Sequence, residues 1–285
     1  MLQHRPTPSA CPKRRALALI LGATGLLVLL ATGITLSLAA LLHPTSHADP
    51  QTPRIPIIPI EPAAPQPISP EIAAARDALA ARPMPDTGTG GAYGPQISTR
   101  DPGTPINLPP GTQIGAFGAV TGYPHTPQGA LAQLAAIDVA AFRSASMPGV
   151  RAVIRSWAAP GGPTPQTWSG VKAMASLLES IDVPGSGSPL LGIRATPAMG
   201  LIKGSIGPDF TVACIAFTID VEYGGSSQRP AADCQRMVWS TDRWMIGPGP
   251  EPAETPSVWP ETDAAIDAGY RDLRQSETTP DLRIG

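Results

Sequence analysis

The sequence predicts an α+β domain, three helices packed on a curved antiparallel sheet, set behind a single N-terminal transmembrane helix and a Pro-rich linker. Three observations carry that prediction. An apolar run from Ala16 to Leu42 contains no charged residue. A stretch with proline at every third position follows it. In the remaining chain the hydrophobic period changes from that of a helix to that of a strand, and helices followed by a strand meander make an α+β layer pair.

At about 1.5 Å per residue the apolar run makes a helix roughly 40 Å long, enough to cross a hydrocarbon core of about 30 Å. Arg5, Lys13, Arg14 and Arg15 precede it, and no Lys or Arg follows until Arg54. The positive-inside rule then places residues 1–15 in the cytoplasm as a basic tail and the bulk of the chain outside the cell membrane, as a single-pass protein. Ser46-His47-Ala48 offers a cleavage site before Asp49. Secretory apolar regions run about 7–15 residues, so the longer run here favours an uncleaved signal-anchor. The lipid bilayer, met through residues 16–42, is the first expected partner.

Residues 43–110 read as an extracytoplasmic linker. Pro50, Pro53, Pro56, Pro59, Pro62 and Pro65 fall on one edge of a polyproline II helix, which has three residues per turn. The expectation is a stiff spacer; Ile55, Ile57, Ile58 and Ile60 between the prolines leave a docking strip as the alternative. Ser69-Pro70-Glu71 signals a short helix near 70–82, ended by Pro83 and Pro85. Asp86 to Gly111 reads as loop.

Residues 111–248 read as the α+β globular domain. Thr126-Pro127 caps a first helix with Leu131, Leu134, Ile137 and Phe142 on one face. A second runs near Pro148 to Trp157 with Val150, Val153, Ile154 and Trp157 together. Thr164-Pro165 is expected to cap a third, with Trp168, Val171, Met174 and Leu178 on its face. After Gly185-Ser186-Gly187-Ser188 the period becomes two. Leu190 to Lys203 reads as one or two strands, with Pro197 at a bend or an edge. Thr211 to Tyr223 alternates cleanly, with Ile215, Phe217, Ile219 and Val221 facing a core and Cys214, Ala216, Thr218 and Asp220 facing the wetter side. Gly224-Gly225-Ser226 turns the chain into a return strand from Cys234 to Ser240, and Thr241-Asp242 turns it again into Arg243 to Ile246. A hairpin about Gly224 sets Cys214 opposite Cys234, and an oxidising compartment lets them form a cross-strand disulfide on the wetter face. Residues 249–285 read as a Pro-rich C-terminal segment with a short helix near 261–273.

The chain has 285 residues and a net charge of -2, which argues against a nucleic-acid binder, since such a protein needs a basic stripe to displace counterions. No chemical signature accompanies the domain. Asp86-Thr87-Gly88 spells the aspartic-protease triplet, but that chemistry needs two carboxylates sharing a proton. Gly88, Gly90 and Gly91 lack the strand and helix of a phosphate loop. His125 stands alone in the domain, with no Cys-x-x-Cys, so a zinc site is not expected, and a surface turn residue is its ordinary role. There is no Gly-x-Ser-x-Gly elbow. Trp239 and Trp244 read as core. The expectation is therefore no catalytic, cofactor-binding or metal site, no cofactor and no enzyme.

The order of basic tail, single anchor, Pro-rich spacer and α+β domain resembles the bitopic scaffold proteins of type IV secretion and conjugative transfer, whose outer domain has the nuclear-transport-factor-two-like, or cystatin-like, cone. The stretches GAVTGYPHTPQGALAQLAAIDVAAF, DCQRMVWSTDRWMIGPGPEPA and SVWPETDAAIDAGYRDL resemble those of actinobacterial single-pass membrane proteins carried on mobile elements. The resemblance implies a non-enzymatic envelope scaffold or assembly component. Its implied partners are other membrane or envelope proteins or a second copy of the chain. An extracytoplasmic small-ligand-binding domain of the same fold is the alternative, and a hydrolase with an unrecognised site a third.

Overall fold

The computed structural model describes residues 68–87 and 94–276. The apolar run, the proline-repeat spacer, Gly88 to Ala92 with Tyr93, and residues 277–285 lie outside the described residues. The chain divides after residue 64, so everything described belongs to the second unit. Among the described residues no helix is long and apolar enough to cross a membrane.

Helix α1, Pro70–Ala81, forms where its cap signals place it. Ser69 Oγ accepts from the amide of Ile72 at 3.3 Å, and proline occupies the first turn, where no backbone donor is needed. At its other end the Lys203 ammonium donates to the carbonyl of Ala80 at 3.4 Å and to that of Arg82. A cation is thus seated on carbonyls that have no partner within the helix. Burial lowers the pKa of Lys203, and Arg82 beside it acts in the same direction.

The stretch expected to be loop contains strand β1, Ile106–Leu108. Three residues are too few to show a period of two, so the strand is invisible until its partner is known. A hairpin of β2, Gln113–Ile114, and β3, Val120–Thr121, follows. Helix α2, Pro127–Arg143, is capped by Thr126, whose Oγ1 accepts from the amide of Gly129 at 3.1 Å. The fully buried Gln133 on α2 accepts from Thr121 Oγ1 at 2.7 Å and donates to the carbonyl of Val120 at 3.0 Å, tying the hairpin to the helix. Helix α3, Met147–Trp157, buries Val150, Val153, Ile154 and Trp157, the residues its spacing predicts.

Helix α4 runs Ser169–Ser180, later than Thr164-Pro165 suggests. Thr164 instead builds a turn, its carbonyl accepting from the amide of Trp168 at 3.1 Å and its own amide donating to Thr167 Oγ1 at 2.9 Å. Trp168 takes the cap position, and its side chain, fully buried, makes no capping bond.

Strands β4, Gly192–Ser205, β5, Phe210–Glu222, β6, Ser226–Ser240, and β7, Arg243–Ile246, form the antiparallel meander. Helix α5, Asp263–Asp267, and strand β8, Arg271–Gln275, complete the described chain. The main sheet has the order β1-β8-β4-β5-β6-β7, with only the β1–β8 pair parallel. It is curled, and β4 carries bulges between Pro197 and Met199 and between Ile202 and Gly204. Pro197 marks the first of these irregularities, so β4 stays one strand.

The helix expected over 261–273 is a correction. Only five residues are helical, capped by Thr262, whose Oγ1 accepts from the amide of Ala265 at 3.3 Å. Gly269 then takes φ +91°, the amide of Tyr270 returns to the carbonyl of Ala265, and the chain leaves as a strand. Glycine in the left-handed region is an ordinary helix stop. Beyond it Arg271–Gln275 zips between β4 and β1.

One face of the sheet meets α2, α3 and α4 in a core holding Leu131, Leu134, Ile137, Trp157, Trp168, Ile215, Phe217 and Trp244. The wet face expected for β5 is corrected at Cys214 and Ala216, while Thr218 and Asp220 are partly exposed as expected. Phe210, Val212, Cys214 and Ala216 are all fully buried. Ala80 and Leu79 of α1 cover the first two, and Val258, Ala265 and Tyr270 of the C-terminal segment cover the others. The alternation of β5 is read correctly, but the layers on its second side come from short, weakly patterned pieces at both ends of the domain.

Candidate functional site

Cys214 and Cys234 are joined by a disulfide, directly opposite each other on β5 and β6. The pairing and register agree with the sequence reading, but the bond is buried under Met199, Val258 and Tyr270 and does not lie on a wet face. It staples β5 to β6 under the C-terminal segment.

The space between helices and sheet, where a cone-shaped fold would hold a ligand, is filled by side chains. Trp157, Trp168, Trp244, Phe217, Leu131, Leu134 and Ile137 are fully buried there. Asp138 of α2 is an ionisable residue among them, with 3% of its surface exposed and Oδ2 lacking a hydrogen-bond partner. Burial holds its carboxyl well above the ordinary carboxylate range, and the charge of Asp233 pushes it the same way.

A connected cluster of polar side chains lies where the start of α4, the strand β6 and the segment after β7 meet. Ser169 Oγ donates to Asp233 Oδ1 at 2.9 Å and accepts from Gln235 Nε2 at 2.8 Å. Gln235 Nε2 also lies within 3.0 Å of both Asp233 oxygens. The amide of Ser169 donates to Glu251 Oε1 at 2.5 Å, and Lys172 Nζ donates to Glu251 Oε2 at 3.3 Å. Ser169, Lys172, Asp233, Glu251, Glu254 and Thr255 line a hollow of about 420 Å³. The Asp233 carboxyl is pushed up to about 6, chiefly by burial, against the opposing hydrogen bonds from Gln235 and Ser169.

None of these residues stood out in the sequence. The spacing Ser169-x-x-Lys172 at a helix start was a usable signal, since a serine–lysine pair at that spacing carries acyl transfer in some hydrolases. The geometry does not assemble that chemistry. Lys172 is engaged by Glu251, and a second carboxylate, Asp233, holds the serine hydroxyl. An oxyanion formed at Ser169 would look for donors at the start of α4 and meet the Glu251 carboxylate there.

His125 is more than a surface turn residue. Its Nε2 lies 2.8 Å from Asp209 Oδ1, its ring stacks on Trp239 at 4.2 Å, and Trp244 meets it edge-on at 5.5 Å. Trp244 is core, as expected, and donates through Nε1 to the carbonyl of Pro124 at 3.0 Å. Trp239 is only partly buried. Asp86 lies in the stretch after α1, and Gly88, Gly90 and Gly91 lie outside the described residues. Among the described residues no cluster of histidine, cysteine and carboxylates could hold a metal ion.

A different surface is apolar. Ala132, Ala135, Ala136 and Val139 of α2, with Leu108, Pro109, Val120 and Tyr123, line a groove of about 330 Å³. The tip of the β2–β3 hairpin stands beside it, with Ile114 60% and Phe117 49% exposed. Phe117 has φ +57°, a left-handed conformation that side chains with a Cβ rarely adopt. Its carbonyl accepts from Arg143 Nη2 at 2.8 Å, and the neighbouring carbonyl of Ala116 accepts from Trp157 Nε1 at 3.2 Å. Two anchors from the helices therefore hold the aromatic ring outward.

The chain matches no family model, no curated protein and no solved structure.

Proposed function

We propose that the chain is a membrane-anchored, non-enzymatic scaffold or assembly component of the cell envelope. Its outer domain belongs to the cone-shaped nuclear-transport-factor-two-like class and serves a conjugative-transfer or type IV secretion-like apparatus. The observation that carries this reading is the filled space between helices and sheet, where tryptophan and aliphatic side chains leave the catalytic or ligand-binding position of such a fold to packing. The Glu251 carboxylate at the start of α4 argues in the same direction, against acyl transfer at Ser169. The exposed hairpin tip and its apolar groove give such a domain a surface for protein contact.

In this reading residues 16–42 anchor the chain with its N-terminus in the cytoplasm, and residues 43–67 set the height of the domain above the bilayer. Protease added to spheroplasts digests the outer domain while the anchor stays with the membrane. A mature N-terminus at Asp49 would replace the anchor with a cleaved signal. Site-specific crosslinking from position 114 or 117 recovers other envelope proteins or a second copy of the chain.

The small-ligand reading keeps one observation in its favour, the polar hollow beside Asp233. A ligand there raises the melting temperature of the wild-type protein and not that of Asp233→Asn, without any need for the anchor.

A further inference from the structure

The C-terminal segment crosses the start of α4 and is fixed there by one carboxylate beside another. Ser169 gives its hydroxyl to Asp233 at 2.9 Å and its amide to Glu251 at 2.5 Å, so both acids lie within one residue's reach of each other. The charge that compensates them is Lys172, whose side chain is 66% exposed and bonded to Glu251. Glu254 from the same segment lines the same hollow, and Asp138 of α2 and Tyr270 ahead of β8 lie within electrostatic range of Asp233. Glu251, Glu254 and Asp138 are thus the other carboxyl groups around Asp233, against one solvated lysine, while the Tyr270 phenol, pushed up to about 12, stays neutral.

We propose that Asp233, Ser169 and Glu251 form a pH-sensitive latch: while Asp233 is protonated, Glu251 holds residues 248–257 against the first turn of α4, and when Asp233 ionises the two carboxylates repel and the segment loosens.

The parts are built for this. Helix α4 has no capping side chain of its own, since Trp168 occupies that position with its ring buried. Glu251 supplies the cap from a distant segment, and a carboxylate at a helix start is favourable for the helix. That favourable contact is opposed by a negative charge on Asp233, which is joined to the same serine and feels the charge of Glu251. The hydrogen bonds from Ser169 and Gln235 let Asp233 exist in either state, as an acceptor when charged and with Ser169 Oγ as a partner when neutral. Burial pushes the Asp233 carboxyl up to about 6, against these hydrogen bonds. Beyond Glu251 the segment is held by the amide of Ala253, which donates to the carbonyl of Ala80 at 3.0 Å, so loosening also breaks this bond to the end of α1.

The test is hydrogen exchange with mass spectrometry on the full-length protein between pH 5 and pH 8, corrected for intrinsic exchange rates. Peptides covering residues 249–257 and the amide of Ser169 lose protection on the order of tenfold from pH 5 to pH 7.5 in the wild type. Asp233→Asn and Glu251→Gln each abolish that pH dependence, the first with the segment protected throughout, the second with it loose throughout. Equal protection of the wild type at both pH values overturns the latch. So does a variant that folds and keeps the wild-type pH profile. Glu251 lies at the surface of the domain, so its variant carries the test if Asp233→Asn does not fold.

Discussion

Nε2 of His125 lies 2.8 Å from Oδ1 of Asp209, and the same ring stacks on Trp239 at 4.2 Å. One side chain thus joins the entry to α2, the turn between β4 and β5, and the outer part of β6. A turn residue free of such contacts would tolerate replacement. His125→Ala instead removes an aromatic stack and exposes Trp239, and the melting temperature falls by the equivalent of about 1–2 kcal/mol, read by calorimetry. An unchanged melting temperature would leave the stack without energetic weight. Function of the fully folded variant is retained.

The disulfide closes the β5–β6 hairpin beneath a buried cluster. Mass spectrometry of exported protein without reductant finds no alkylatable thiol at Cys214 or Cys234. The double variant Cys214→Ser, Cys234→Ser loses roughly 3 kcal/mol in the chain-entropy account of a loop of this size. The bond lies in the cover of the sheet's second face, so the loss is accompanied by faster exchange at Val258 and Tyr270.

Asp138 and Asp233 both have pKa values raised above the ordinary carboxylate range, by burial first. A raised folded-state value means the native state binds protons more tightly than the unfolded chain. Full stability is therefore present below about pH 4, where both states are protonated, and it is lost as pH climbs through the folded values. For Asp233 that loss is complete above about 6. Urea midpoints fall from pH 4 to pH 7, opposite to the common acid sensitivity of folded proteins. Asp138→Asn flattens part of this slope and is at least as stable as the wild type at pH 7. A midpoint that rises over this range contradicts the assignment.

Phe117 is held at φ +57° with its ring outward. Phe117→Gly relieves the backbone and stabilises the isolated fold by about 0.5–1 kcal/mol, while Phe117→Ala keeps the strain and does not. Both variants lose crosslinks formed by the hairpin tip. A residue kept at a cost to stability and lost with a partner contact is one retained for binding; equal crosslinking in all three proteins would remove the hairpin from the interaction surface.

The main helices and the meander were legible because their signals are local and long. Thr126 and Ser69 cap where they stand, and Ile215, Phe217, Ile219 and Val221 of β5 share the core face that their spacing predicts. What escaped depends on partners far away in the chain. Strand β8 exists because β4 and β1 receive it, and Gly269 ends the helix that the sequence alone would carry on to residue 273. Helix α4 begins five residues after Thr164 because its cap, Glu251, comes from a segment 82 positions away. The polar cluster shares that cause: Ser169, Asp233 and Glu251 have no common spacing, and only the fold of the C-terminal segment brings them together. The pairing of Cys214 with Cys234 is legible because a hairpin turns distance into register, and their burial is not, because α1 and the C-terminal segment give no sign of which face they cover.

The central claim is that the outer domain works by being held at the membrane. The most direct measurement compares strains lacking the gene after each receives one of three proteins: the full chain, a chain with residues 50–67 deleted, or a chain with residues 1–48 replaced by a cleavable secretion signal. Each is checked by hydrogen exchange to hold the same folded domain. The account predicts that only the full chain restores the phenotype. Restoration by the secreted form, free of anchor, would contradict it and return the function to a ligand or a reaction within the domain.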